Sequence, residues 1–198
     1  MVDIVNASKT IKSKKILNNI NLKLERGKIY GLEGHNGSGK TMLLRICCGL
    51  IKPTSGTVKI EKNTTFGVVI ETPGFMFNES AYNNLKYLAD INKKVGRTEI
   101  DGVLKRVGLF EQKNIKTKKF SLGMIQRLAI AQAVMESPDV LLLDEPFNAL
   151  DGESCETVRT LIKEQRENGS AVVIVSHSLD FVREDCDRIM TMTDGRLT

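Results

Sequence analysis

Residues Gly34, His35, Asn36, Gly37, Ser38, Gly39, Lys40 and Thr41 stand in one run. They fit the spacing G-x-x-x-x-G-K-[ST], whose chemistry is the binding of a polyphosphate. Glycines let the backbone turn its N–H groups inward around phosphate oxygens, and a following helix adds the positive end of its dipole. Lys40 would reach the β- and γ-phosphates, and Thr41 would offer its hydroxyl to Mg²⁺. Met42 follows and is counted with the phosphate cradle.

A second run, Leu141-Leu142-Leu143-Asp144-Glu145-Pro146, is apolar until it ends in two acids. Two adjacent carboxylates leaving a buried strand are costly unless a cation or solvent meets them. Asp144 would hold Mg²⁺, directly or through water, and Glu145 could polarise an attacking water. A third run, Phe120-Ser121-Leu122-Gly123-Met124-Ile125-Gln126-Arg127, opens an apolar-periodic helix. Ser121 at its N-cap and Gly123 in its first turn leave N–H groups free for an anion. As a bare pattern this is weak, and a plain helix cap is its commoner meaning.

The elements that must position these residues alternate between short β-branched runs and helical patterns, the mark of an α/β fold. Residues 28–34 read as a buried strand stopping at glycine, and 39–49 as the helix after it. Residues 57–60 and 66–71 read as strands. Residues 79–107 carry apolar side chains at three- and four-residue steps, predicting two helices. With 121–136 they make a helical insertion. Residues 140–145 and 171–177 read as central strands covered on both faces. Residues 153–169 read as an amphipathic helix ending at Gly169, its C-cap. A short helix is expected at 178–185, and 188–197 reads as a hairpin-like edge.

Composition narrows the classes. Of 198 residues, 41 % are hydrophobic, too many for a disordered chain. No apolar run approaches the ~20 residues of a membrane span, and the first residues lack a signal-peptide pattern, so a cytoplasmic address is expected. Residues 9–28 hold seven Lys/Arg against one Glu, and 105–119 hold six against one, while the rest of the chain is net acidic. Such patches suit an anionic partner or simply a solvated face. The four cysteines form no C-x-x-C pair and read as reduced thiols.

The order of motifs carries more than any one of them. The phosphate loop, the Ser121–Gly123 helix start, the acidic strand, Asn148-Ala149-Leu150-Asp151 and His177 at a strand end follow in sequence. In this order the chain resembles the nucleotide-binding domain of ATP-binding cassette (ABC) transporters, over nearly its whole length. The resemblance implies one P-loop NTPase domain spanning 1–198, with an N-terminal antiparallel β subdomain and a helical subdomain at about 75–137. It implies two domains paired head to tail as a homodimer or heterodimer, with ATP and Mg²⁺ at the interface. Each ATP would lie between Lys40 and Thr41 of one copy and Ser121 and Gly123 of the other. Glu145 would be the general base, His177 would contact the γ-phosphate, and Asp151 would bridge the copies. A separate membrane permease is implied, with the chain peripheral on the cytoplasmic face.

Departures of three kinds, in motif residues, in length and at the adenine position, mark this sequence. Glu71 stands where many family members place a glutamine that binds Mg²⁺ and senses the membrane subunit; a carboxylate still suits Mg²⁺. The signature helix opens SLGM rather than SGGQ. With residues 71–85, both changes resemble the bacitracin and lantibiotic exporter and immunity branch. No regulatory extension is expected after Arg196. Ile11 falls where relatives often stack an aromatic on adenine. The segment Phe75–Leu85 is the expected dock for the membrane partner, with core as the alternative place for its apolar Phe75, Met76, Phe77 and Tyr82. A soluble ABC-type ATPase acting on DNA or ribosomes is the competing reading. It is disfavoured because DNA-repair relatives insert long coiled coils and translation relatives carry two cassettes, so no nucleic-acid partner is expected.

Overall fold

The computed structural model describes residues 1–198 except Thr72, Pro73, Ser178, Phe181 and Val182. Three strands, β1 (Val2–Ile11), β2 (Lys14–Leu24) and β4 (Ser55–Ile60), form an antiparallel sheet in the order β2-β1-β4. The β1–β2 connection is two residues long. Both Lys12 and Ser13 have positive φ, 44° and 67°, the signature of a type I′ turn, whose twist matches that of the flanking strands.

The second sheet runs β5-β6-β7-β3-β8-β9. It contains β3 (Ile29–Glu33), β5 (Phe66–Val69), β6 (Val140–Asp144), β7 (Ala171–Ser176), β8 (Arg188–Thr193) and β9 (Arg196–Leu197). The first five strands in this order are parallel, and β9 turns back antiparallel on β8. In β6 the side chains alternate between two cores. Leu141 and Leu143 face one built with the helical insertion, and Val140 and Leu142 face one shared with the antiparallel sheet. Each fully buried side chain of this kind contributes about 1.5–3 kcal/mol. That two-sided burial is why β6 and β7 read as unbroken apolar runs.

Helix α1 (Lys40–Cys47) follows β3 through the glycine-rich loop. The helical insertion between β5 and β6 comprises α2 (Ala81–Asn92), α3 (Arg97–Arg106) and α4 (Leu122–Val134). Ser80 Oγ caps α2 by accepting from Asn83 N–H, and Ser121 Oγ caps α4 by accepting from Met124 N–H. Helix α5 (Gly152–Glu167) packs on β7. Arg26, just after β2, pairs with Asp139 at 2.9 Å, just before β6, and so links the two sheets. The cysteines are free, and burial pushes the Cys47 thiol up to about 12.

Three expectations change. The strand at 66–71 stops at Val69 because Glu71 has φ 63°, which breaks the extended backbone. At 178–185 the described residues show only a 3₁₀ turn, Arg183–Asp185; Ser178, Phe181 and Val182 lie outside the described residues. Phe75 is core rather than a docking surface, while Met76 and Phe77 are 47 % and 57 % exposed. The buried Asn84 side chain sets this division. Its Oδ1 accepts from Met76 N–H and its Nδ2 donates to Met76 C=O and Ser80 C=O.

The seam between β5 and α4 is tight at Gly67. A Cβ there would lie 2.0 Å from Ala133 O and 2.8 Å from Pro138 Cγ. Gly67→Ala is expected to cost at least about 2 kcal/mol by overpacking, read from the urea midpoint at unchanged m-value. An unshifted midpoint would contradict this packing.

Candidate active site

The phosphate loop joins β3 to α1 and is held from below by residues distant in sequence. Gly195 N–H donates to Ser38 C=O at 2.9 Å, and Asn18 N–H donates to Gly195 C=O at 2.7 Å. Gly34 (φ 155°) has no room for a side chain, since a Cβ would stand 2.3 Å from Met192 O. Gly39 (φ 114°) lies against Leu17 and Ile16. Glycine is demanded at both positions by close approach as well as by φ. The His35 ring turns away, with Nδ1 2.9 Å from Asn36 O and Nε2 3.6 Å from Asp194. The Ser38 hydroxyl is buried without a hydrogen-bond partner among the described residues.

Lys40 folds back under the loop. Its Nζ donates to Gly34 C=O at 2.5 Å and to His35 C=O at 3.1 Å. Nearby, Thr41 Oγ1 donates to Asp144 Oδ2 at 2.7 Å. Burial pushes the Asp144 carboxyl above the usual carboxylate range, and the Thr41 hydroxyl pulls it back down. These residues line a cleft of about 730 Å³ at the C-terminal ends of β3 and β6, together with Asn36, Gly37, Met42 and Glu145. Ligands of open α/β sheets bind at these strand ends.

Glu145 leaves β6 with φ 50°. Its N–H still donates to Val175 C=O at 2.8 Å. The carboxylate accepts from Ser176 Oγ at 2.9 Å and from His177 N–H at 2.9 Å, and His177 Nδ1 lies 3.1 Å away. Gln126 Nε2 donates to the backbone oxygens of Glu145 and Pro146. The turn that aims Glu145 is therefore held by β7 on one side and α4 on the other.

The remaining candidates are placed less directly. Glu71 lines the cleft, but its carboxylate is 2.5 Å from Arg45 of α1. Thr41, Asp144 and Glu71 nonetheless bring three hard oxygen donors to one cleft, which fits Mg²⁺. Among the described residues no three His, Cys, Asp or Glu side chains converge as a metal cage. Mg²⁺ characteristically binds one or two carboxylates together with substrate phosphates. His177 rests on Glu145 and is not among the cleft-lining residues. Ser121 and Gly123 sit at the α4 N-terminus, and Leu122, Ile125 and Gln126 of that helix line the cleft instead. Gly123 has its own steric reason, since a Cβ would come 2.8 Å from Ala149 O. The Asp151 carboxylate caps α5 by accepting from Ser154 N–H at 2.8 Å, which holds its pKa low. Ile11 is 41 % exposed and does not line the cleft; Lys14 and Ile16 of β2 do.

Sequence reasoning missed Ser176, Gln126, Lys14 and Ile16. Only Ser176 carried a signal, a hydroxyl at the end of an apolar strand.

The ABC transporter family model matches residues 17–148. The chain is 42 % identical to an uncharacterized ABC transporter ATP-binding protein, YybJ of Bacillus subtilis, covering 100 % of this chain and 94 % of that protein. It is 38 % identical to the bacitracin transport ATP-binding protein BcrA of Enterococcus faecalis, covering 100 % and 68 %. It is 36 % identical to the lantibiotic transport ATP-binding protein SrtF of Streptococcus pyogenes, covering 100 % and 89 %. Among solved structures, the dimeric post-hydrolysis state of the cassette MJ0796 bound to ADP and Pi superposes with a TM-score of 0.91 at 28 % identity, covering 100 % and 96 %.

The Thr41–Asp144 hydrogen bond stabilises the charged carboxylate. Thr41→Val is therefore expected to raise the Asp144 pKa further, followed by a carboxyl ¹³C titration without Mg²⁺. A pKa that stays or falls would show that the hydroxyl does not hold this group.

Proposed function

Because the chain belongs to the ABC transporter family, we propose that this ATP-hydrolysing cassette powers a membrane exporter of antimicrobial peptides or drugs. The observation that carries the site reading is the convergence of Lys40, Thr41, Asp144 and Glu145 on one cleft. The cargo class is supported by the bacitracin and lantibiotic transport relatives.

The loop N–H groups and the α1 N-terminus bind the phosphates of ATP. Lys40 exchanges its two carbonyl partners for phosphate oxygens and stabilises the charge that shifts during phosphoryl transfer. Thr41, Asp144 and Glu71 would hold Mg²⁺, which when bound neutralises phosphate charge. Glu145 accepts the proton of the attacking water as general base. Ser176 and the His177 N–H keep its carboxylate aimed, and His177 turns to the γ-phosphate.

The cleft is completed by a second cassette. Leu122, at the cleft edge beside Ser121, is 78 % exposed. Head-to-tail pairing covers such a side chain and brings Ser121 and Gly123 of the second copy to the phosphates, with Asp151 at the seam. Among the described residues no helix is long and apolar enough to cross a membrane. The bacitracin and lantibiotic transport relatives support transport through a separate permease, with this chain peripheral on the cytoplasmic face. Met76 and Phe77, held outward by Asn84, are the docking residues. Arg45 and Glu71 connect the phosphate-loop helix to the same segment.

Glu145→Gln keeps the shape of the side chain and loses its basic oxygen. Turnover is expected to fall at least ~100-fold, while ATP now doubles the mass seen by light scattering. Near-normal turnover would remove Glu145 from the chemistry. Docking is tested separately. Met76→Asp with Phe77→Asp should release the chain from the membrane fraction of its host cells and leave the ATPase rate of the isolated chain unchanged. Undiminished sedimentation with membranes would place the dock elsewhere.

A further inference from the structure

The cleft has two ends of different chemistry. Asp144 and Glu145 mark the end where the terminal phosphate reacts. The opposite end is formed by β2. Gly39, at the head of α1, packs on Leu17 and Ile16. Lys14 lies two residues further along β2, roughly 6–7 Å farther from the loop. Residues 14 and 16 share one face of the strand, since side chains alternate. Ile11 is the direct cross-strand partner of Lys14 across the type I′ turn. This places Ile11 beside Lys14, outside the cleft-lining set. The wall met by a nucleobase is therefore Ile16, then the Lys14 side chain. Among the described residues lining the cleft there is no aromatic ring.

An aromatic platform stacks on any base. Isoleucine covers a base without a π-face, which leaves selectivity to polar groups at its edge. The Lys14 ammonium is a donor with no acceptor capacity. Guanine presents two adjacent acceptors on one edge, O6 and N7; adenine presents N7 beside a donor, its N6 amino group. A cation that only donates matches the first edge and opposes half of the second.

We propose that Lys14 makes this site select 6-oxopurine triphosphates, so that GTP is a substrate at least equal to ATP. The proposal rests on the nucleotide-site reading above and adds the base class. Lys14 is exposed, so water weakens the contact, and the expected preference is at the low end of base-edge discrimination, ~fivefold for GTP over ATP.

The test is calorimetric titration of the intact chain with ATP, GTP and ITP. ITP keeps O6 and lacks the 2-amino group, so it isolates the proposed contact. ITP should follow GTP. Lys14→Met should bring the three affinities together, and Lys14→Arg should retain the preference. Melting curves check that each variant is folded. Tighter binding of ATP than of GTP and ITP overturns the proposal. So does a Lys14→Met variant that weakens all three equally, because the lysine would then be reading phosphate. If none of the three binds the unaltered chain, the nucleotide-site reading falls and this proposal falls with it.

Discussion

A parallel sheet buried on both faces cannot hold charge along its length. Every strand of the central sheet that reaches the cleft obeys this constraint. Leu141 to Leu143 and Val172 to Val175 are fully apolar, and polarity returns only at Asp144, Glu145, Ser176 and His177. The chemistry is thus gathered at one edge by exclusion from everywhere else. The β3 strand follows the same rule and releases its chain into the phosphate loop at Gly34. The glycines, helix α1 and the Thr41–Asp144 bond all depend on this common edge.

Much of the site was legible for the same reason. An apolar run that ends in two acids can hardly be anything but a buried strand opening on a cation or solvent. The phosphate loop was legible because its glycines answer a need of the backbone, seen again in the contacts of Gly34 and Gly39. The helical insertion was legible from its period and from Ser121 at the cap of α4. What stayed hidden depends on contacts that only the folded backbone brings together. Phe75 and Phe77 differ by two positions and have the same side chain, yet one is core and the other exposed, because Asn84 holds the segment between them. Similarly, Ile11 and Ile16 cannot be told apart until the β1–β2 register decides which one reaches the cleft.

Several residues proposed to act in an assembly already have a role within the chain. Asp151 caps α5, Gly123 makes room for Ala149, and Glu71 pairs with Arg45. Each reason is sufficient for folding, so none by itself demands catalysis. Exposed ion pairs such as Arg45–Glu71 contribute only about 0–1 kcal/mol. A competing partner can therefore redirect Glu71 at little cost in stability, whereas the Asn84 anchor is buried and fixed.

The contact between Gly195 and Ser38 has a consequence in time. Ser38 is made early in synthesis and Gly195 near the end of the residues described. Its floor, the turn at Asp194 and Gly195, must also close over the start of β2. The phosphate loop therefore cannot settle into its working shape before residue 195 has been made. Contacts of such long sequence separation form late and slowly. A ribosome-bound fragment can fold its first sheet without yet possessing a competent nucleotide loop. Competence waits for residue 195, so a product truncated before it would be inert rather than hydrolysing nucleotide without a partner.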